Sequence, residues 1–314
     1  MKNHFFVRLL VTGGLGFIGS NFILKTLKKY PEHHITNIDA CLDGSNIQSL
    51  NISNNSNYEF VKGNITDFNL MKKLIDKSDT IINFAAESHV DRSIYDAKPF
   101  FDSNILGVFT ILEILKKQKK KLIQISTDEV FGNLPDGSAT EISRFNPSSP
   151  YSSSKASAEL LVNSYVITYG IDAMITRCTN NYGPHQFIEK LIPKTIIMAS
   201  QDKSIPIYNN GRGIRDWMHV DDHVDAILKV LHKGQIGESY NISANNEFDV
   251  FQIVKKILSY MGKSEDAYHI AEDRPGHDDR YSLDSSKISS DLNWKPKINF
   301  VDGIQQTVDW YLKN

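Results

Sequence analysis

A glycine-rich turn between two apolar stretches constrains this chain more than any other feature. Residues 12–20 read Thr-Gly-Gly-Leu-Gly-Phe-Ile-Gly-Ser, directly after Phe-Phe-Val-Arg-Leu-Leu-Val at 5–11. The apolar run reads as a buried strand. Asn21–Lys29 is amphipathic as a helix is, and Ile35–Asp39 reads as a second strand. Gly14, Gly16 and Gly19 satisfy G-x-G-x-x-G, while Gly13, Gly16 and Gly19 satisfy the alternative G-x-x-G-x-x-G. A pyrophosphate approaches backbone closely only where Cβ atoms are absent, and the helix N-terminus then offers N–H donors and a favourable dipole. Asp39 lies twenty residues past Gly19, where a carboxylate accepts from the adenosine ribose hydroxyls. No Arg or Lys lies between Asp39 and Gln48 to receive a 2′-phosphate, so the pattern favours NAD over NADP.

Strand-like and helix-like stretches then alternate: Tyr58–Lys62, Leu70–Asp76, Thr80–Phe84, Asn104–Lys116, Lys121–Ser126, Tyr151–Tyr169 and Ala173–Arg177. That alternation predicts an α/β fold, a Rossmann-type doubly wound parallel sheet with helices on both faces. After about residue 180 the regularity fades and Pro and Gly recur. Helical patches remain at Asp222–Leu231, Asp249–Met261 and Val301–Leu312. We therefore expect a dinucleotide-binding domain over 1–180 and a smaller mixed α/β lobe over 181–314, packed over the carboxyl ends of the strands. Strands near Ile205–Tyr208 and Ser239–Ile242 are free to return to either part.

Composition narrows the partners. A net charge of −2 argues against binding nucleic acid or an acidic membrane. Cys41 and Cys178 are the two cysteines, without ligand spacing or a disulfide framework, so we expect no metal and a reducing compartment, the cytoplasm. No apolar run near the start is long enough for a signal peptide or a membrane span. The Lys116–Lys121 cluster reads as a solvated helix end, and His33 and His34 as surface residues.

Reactive residues concentrate between Ser126 and Lys155. Ser149 reads as an N-cap and Pro150 as a first helical residue, so Tyr151 and Lys155 stack on one helix face. An ammonium beside a phenol favours the phenolate, which can take a proton from a sugar hydroxyl. Bringing a Tyr from about 10 to near 7 takes roughly 4 kcal/mol. An exposed Lys supplies only ~0–1 kcal/mol. Burial and a second positive charge, such as an oxidised nicotinamide, are needed as well.

Together the glycine turn and Tyr-Ser-Ser-Ser-Lys resemble the extended short-chain dehydrogenase/reductases. Further motifs resemble the nucleoside-diphosphate-glucose 4,6-dehydratases within that superfamily, which act on dTDP-glucose or UDP-glucose, and the likeness spans nearly the whole chain. The carrying residues are Ala-Ala-Glu-Ser-His-Val-Asp-Arg-Ser (85–93), Ser-Thr-Asp-Glu-Val-Phe-Gly (126–132) and Asn-Asn-Tyr-Gly-Pro (180–184). Glu-Lys-Leu-Ile-Pro (189–193), Arg-Asp-Trp (215–217) and Arg-Pro-Gly-His-Asp (274–278) follow in order.

The resemblance implies an NAD-dependent enzyme of deoxysugar biosynthesis, that of rhamnose, working as a homodimer that pairs two helices from each subunit. In family terms Tyr151 is the base for the C4 hydroxyl, assisted by Lys155, and Thr127 hydrogen-bonds near O4. Glu129 takes the C5 proton and Asp128 donates to the departing C6 hydroxyl. Adjacent carboxylates repel, which raises one pKa and leaves an acid beside a base. Gly13, Gly16, Phe17, Ile18, Gly19, Asp39, Asn64, Ile65, Ala85, Ala86, Tyr151 and Lys155 are implied to hold the cofactor. Ser88, His89, Asn180, Lys190, Leu191, Pro206, Tyr208, Arg215, Asn246, Arg274 and His277 are implied to hold the nucleotide sugar. Two departures stand out. Asn64 occupies a position that usually carries Asp, where its amide oxygen can still accept from adenine, and Phe131 replaces a Tyr. The rival readings are a UDP-sugar 4-epimerase or decarboxylase of the same superfamily, and a non-catalytic NAD-binding scaffold. Epimerases perform no elimination and lack the acidic pair; a scaffold has no need of Tyr151, Lys155, Asp128 and Glu129.

Overall fold

The computed structural model describes residues 6–42, 44–45, 50, 52, 55–208, 211–272 and 278–314. The first half alternates as its periodicity requires: β1 (Arg8–Thr12), α1 (Phe17–Lys29), β2 (His34–Asp39), β3 (Tyr58–Lys62), α2 (Phe68–Asp76) and β4 (Thr80–Asn83). Two short helices come next, α3 (Val90–Tyr95) and α4 (Lys98–Phe101). A π-helical turn, Asp102–Leu106, then leads into α5 (Gly107–Leu115). The stretch expected to be one helix from Asn104 is therefore a wide turn followed by a regular helix. Next are β5 (Lys121–Thr127), a 3-10 turn (Asp128–Phe131), α6 (Pro150–Tyr169) and β6 (Ala173–Cys178). The second half contains β7 (Asn180–Tyr182), α7 (Leu191–Ser200), β8 (Ile205–Ile207), β9 (Ile214–His219) and α8 (Val220–Lys233). It closes with β10 (Ser239–Ile242), β11 (Glu247–Asp249), α9 (Val250–Tyr260), β12 (Tyr268–Ile270), α10 (Ser286–Leu292) and α11 (Phe300–Lys313).

Seven strands form one parallel sheet in the order β10-β6-β5-β4-β1-β2-β3. The order reverses direction between β1 and β4, which opens a crevice at the carboxyl ends of the strands. Strands such as β4 and β6 are buried along their whole length, as a sheet covered on both faces requires. On one face α1 and α8 contribute Phe22, Ile23, Val224 and Ile227; on the other α2, α5 and α6 contribute Met71, Ile75, Ile111 and Val162. Each such side chain, fully buried, contributes about 1.5–3 kcal/mol.

The strand at Ser239–Ile242, left open by the sequence, pairs with β6 and belongs to the large sheet. The strand at Ile205–Ile207 instead pairs with β12. β9 lies between β7 and β11 in a small mixed sheet, packed under Trp217, Ile253, Phe300 and Ile304. One expectation is overturned. His33 is not a surface residue: it is 1% exposed, its ring stacked on that of Tyr30 at 5.1 Å and tilted against that of His232 at 5.9 Å. The signal was absent because the burying partner, His232, comes from the far end of α8.

Candidate active site

At the crevice between β1 and β4 lies a cavity of about 590 Å³, lined by the ends of β1 to β6. Gly13, Gly16, Phe17, Ile18 and Gly19 form one wall, with Asp39, Asn64, Ile65, Ala85 and Ala86 beside them. Gly13 has φ +68°, and a Cβ there would stand 2.6 Å from the Ala85 backbone. Gly19 is as tight, since its Cβ would meet the Gly13 carbonyl at 2.5 Å. This bare backbone at the start of α1 suits a pyrophosphate. The lining triplet is therefore Gly13, Gly16 and Gly19, while Gly14 turns inward and its N–H donates to Asn37 Oδ1 at 3.1 Å. Asp39 is held in place by three donors: the Leu15 N–H at 3.0 Å, the Cys41 N–H at 2.8 Å and the Ser45 hydroxyl at 3.0 Å. The Asn64 Oδ1 accepts from the Thr66 N–H and hydroxyl, both at 3.0 Å, which holds the side chain in its own turn.

The residues expected to carry acid–base chemistry share this cavity. Ser149 caps α6 with a reciprocal bond to Ser152, and Pro150 takes the first helical position, so the helix starts where the sequence places it. Tyr151 and Lys155 consequently enter the crevice from one face of α6, and both are buried. Lys155 Nζ donates to the Ile125 carbonyl at 2.7 Å. Burial draws Lys155 down to about 8, against the opposing charge of Glu159. Burial pushes the Tyr151 phenol well above its ordinary value, and the negative charge of Glu129 adds to this, while a hydrogen bond with Thr127 pulls the other way. A positive charge brought to this site is what a phenolate would need.

Thr127 ends β5, and the 3-10 turn that follows carries Asp128 and Glu129 into the cavity. Asp128 is pushed up to about 8, first by burial and then by the neighbouring Glu129. Its Oδ1 accepts from the Thr127 hydroxyl at 3.1 Å, while Oδ2 is buried without a hydrogen-bond partner. An unpartnered buried carboxyl oxygen suits a protonated acid waiting for a substrate oxygen. Cys178, at the end of β6, is pushed up to about 12 by burial and sits here as a neutral thiol.

Residues 10–307 match the family model described as GDP-mannose 4,6 dehydratase. A dTDP-glucose 4,6-dehydratase of Mycobacterium tuberculosis (strain CDC 1551 / Oshkosh) is 42% identical over 312 residues, covering 98% of this chain and 94% of that protein. The chain belongs to the 4,6-dehydratase family. A crystal structure of the dTDP-glucose 4,6-dehydratase of Bacillus anthracis str. Ames in complex with NAD superposes with a TM-score of 0.93. It is 43% identical, over 98% of this chain and 97% of that one. A UDP-glucose 4-epimerase of Thermotoga maritima, solved with UDP-glucose, matches with a TM-score of 0.90 over 98% of this chain and 99% of its own, but at 26% identity.

Membership in the dehydratases directs attention to the sugar-nucleotide side. Ser88, His89, Asn180 and Lys190 line the cavity. Lys190 Nζ reaches the Ser88 carbonyl at 3.5 Å. His89 Nε2 lies 3.3 Å from Glu189, and burial keeps the imidazole below its ordinary pKa. Leu191, Pro206, Tyr208, Arg215 and Asn246 do not line this cavity. Leu191 begins α7 and packs into the small lobe's core. Pro206 lies in β8, and Tyr208 is 45% exposed with Lys194 over its ring. Arg215 is buried over the Tyr281 ring at 4.3 Å, and its fork donates to the carbonyls of Ile214, Asp278 and Asp279. The Asn246 N–H donates to Asp216 at 2.7 Å. Arg274 and His277 lie outside the described residues.

A residue the sequence reading missed is Asn104, buried in the π-helical turn. Its amide donates to the Glu87 carbonyl at 3.0 Å and to Ser154 Oγ at 2.9 Å, and its Oδ1 accepts from the Glu87 N–H at 2.9 Å. It therefore fixes the cofactor-side loop against α6. Only the wide turn exposes this role, and local periodicity carries no mark of such a turn.

Proposed function

We propose that this chain converts a nucleoside-diphosphate-glucose, dTDP-glucose or UDP-glucose, to the 4-keto-6-deoxy nucleotide using NAD. NAD bound along the glycine turn supplies the acceptor for the C4 hydride and the donor that returns it to C6. Tyr151 takes the C4 hydroxyl proton, Lys155 holds positive charge beside it, and Thr127 hydrogen-bonds near O4. The new ketone makes the C5 proton acidic, so Glu129 can remove it. Asp128 passes its proton to the departing C6 hydroxyl, and water leaves. C5 then regains a proton that has exchanged with solvent. The observation that supports this reading best is the Asp128–Glu129 pair, an acid held near 8 beside a second carboxyl group, opening into the cavity of Tyr151 and Lys155.

Ser88, His89, Asn180 and Lys190 are proposed to bind the sugar nucleotide. Leu191, Pro206, Tyr208, Arg215 and Asn246 are proposed to contact it from outside the cavity described above, and Arg274 and His277 are proposed to bind it too. Uracil and thymine differ by one methyl, which an apolar pocket discriminates by only ~1–3 kcal/mol. The product feeds deoxysugar synthesis, that of rhamnose. The chain works in the cytoplasm as a homodimer, its apolar Phe109, Leu160 and Ile167 on α5 and α6 supporting a helix-paired interface. Both cysteines are free, and among the described residues no helix is long and apolar enough to cross a membrane.

Incubation with dTDP-glucose and, in parallel, UDP-glucose tests the reading. We expect a 4-keto-6-deoxy product by NMR; galactose or pentose nucleotides would reject it in favour of epimerisation or decarboxylation.

A further inference from the structure

Tyr151, Lys155 and Glu159 follow one another at four-residue spacing on α6, so they share a face. Tyr151 and Lys155 line the cavity, whereas Glu159 lies one turn further along, fully buried, and no step of the proposed reaction uses it. Its partner is Arg177 of β6, itself 2% exposed. Arg177 Nε donates to Glu159 Oε2 at 2.9 Å, and Nη2 to the same oxygen at 2.7 Å. Register places Arg177 opposite Ser126, one residue before Thr127 and the acidic turn. The remaining guanidinium is enclosed by the rings of Phe131 at 5.1 Å and Phe145 at 5.4 Å. Its Nη1 donates to the Glu141 carbonyl and to Asn241 Oδ1, each at 3.4 Å. Phe131 is the last residue of the acidic turn and belongs, with Val130, to a small core that also contains Ala156 of α6. One buried pair thus joins the helix of the hydroxyl base to the turn of the elimination residues.

Replacing a buried ion pair by apolar side chains of equal volume is often neutral or stabilising, so stability alone is a weak account of its presence. We propose that Glu159 and Arg177 are positioning residues for the oxidation step: they lock α6 against the Asp128–Phe131 turn, and the Glu159 carboxylate keeps Lys155 an ammonium. Among the described residues, the charged or titratable groups that act on Lys155 are Glu159 of its own helix and Cys178 of β6, with Tyr151 one turn before it and Arg177 of β6 bonded to Glu159. Glu159 is the larger of the two influences that oppose the burial of Lys155, ahead of Cys178.

The inference rests on the proposed role of Lys155, so the test separates the two. The readout is the burst of NADH formation in a single turnover, a step before elimination in which Asp128 gives up no proton. In the wild type the burst rate should fall at high pH as Lys155 deprotonates. Glu159→Gln should bind NAD as the wild type does, while its falling limb moves to lower pH by roughly one unit, a tenfold change in the protonation equilibrium. Glu159→Asp, which keeps the charge, should slow the burst and leave the limb in place. Glu159→Gln combined with Arg177→Gln leaves no buried charge alone and should move the limb in the same direction by a smaller amount, should the single variant fail to fold. A limb unmoved in the neutral variants, or moved as far by Glu159→Asp, overturns the positioning role. A Lys155→Met enzyme with a wild-type burst would instead overturn the proposed oxidation chemistry itself.

Discussion

The two sides of the cavity were written into the sequence in different ways. On the cofactor side, every residue singled out, from Gly13 to Ala86, lines one continuous wall. On the sugar-nucleotide side, Ser88, His89, Asn180 and Lys190 line it, but Leu191, Pro206, Tyr208, Arg215 and Asn246 do not. The difference teaches how each wall is built. A strand, a turn and a helix N-terminus are local, so backbone shape fixes the glycine wall within a dozen residues. The opposite wall joins residues 88–89 to residues 180–190, stretches about ninety residues apart in the chain, so no single stretch defines it.

Removing the proposed hydroxyl base should give the largest effect. Tyr151→Phe is expected to lower the rate of NADH formation towards the upper end of a ~10²–10⁴-fold range while NAD binding is kept, because general-base catalysis contributes that much. Stopped-flow absorbance and calorimetric titration check the two halves of the statement; a loss of NAD affinity matching the loss of rate would mean that Tyr151 builds the cofactor wall instead. Glu129→Gln should cost roughly 10²-fold or more in turnover. Its mark is different: oxidation continues, but solvent deuterium no longer enters C5.

Arg215→Lys sharpens the comparison on the other side. Arg215 is buried with its fork on three carbonyls, and Lys cannot reproduce the fork or the stack on Tyr281. If this residue shapes the nucleotide pocket, KM for the sugar nucleotide should rise about tenfold, the loss of roughly 1–2 kcal/mol, with Kd for NAD unchanged. An unchanged KM would remove Arg215 from the binding set. The smallest effect is expected from Asn64→Asp, which should alter Kd for NAD by about twofold or less, as exposed substitutions generally do. Its side-chain oxygen already serves Thr66, and a carboxylate keeps those bonds.

Legibility followed the same division. The alternation of strands and helices in the first half, the cap of α6 and the shared helix face of Tyr151 and Lys155 rest on short-range rules, and the structure matches them. The burial of His33, the π-helical turn that aims Asn104 at Glu87, and the return of β10 to the large sheet depend on contacts across the chain. Hydrophobic periodicity registers which residues are buried but carries no record of the element that buries them. Glu159 illustrates this. It sits in the sequence as an unremarked acid on a helix, and only the register of β6 reveals that Arg177 awaits it.

The central claim is that oxidation at C4 precedes loss of water and that the same hydrogen comes back at C6. A substrate carrying deuterium at C4 addresses it in one measurement. The account expects the label at C6 of the product, bound in the 4-keto-6-deoxy sugar and absent from solvent. Deuterium washed into water, or kept at C4, would contradict it.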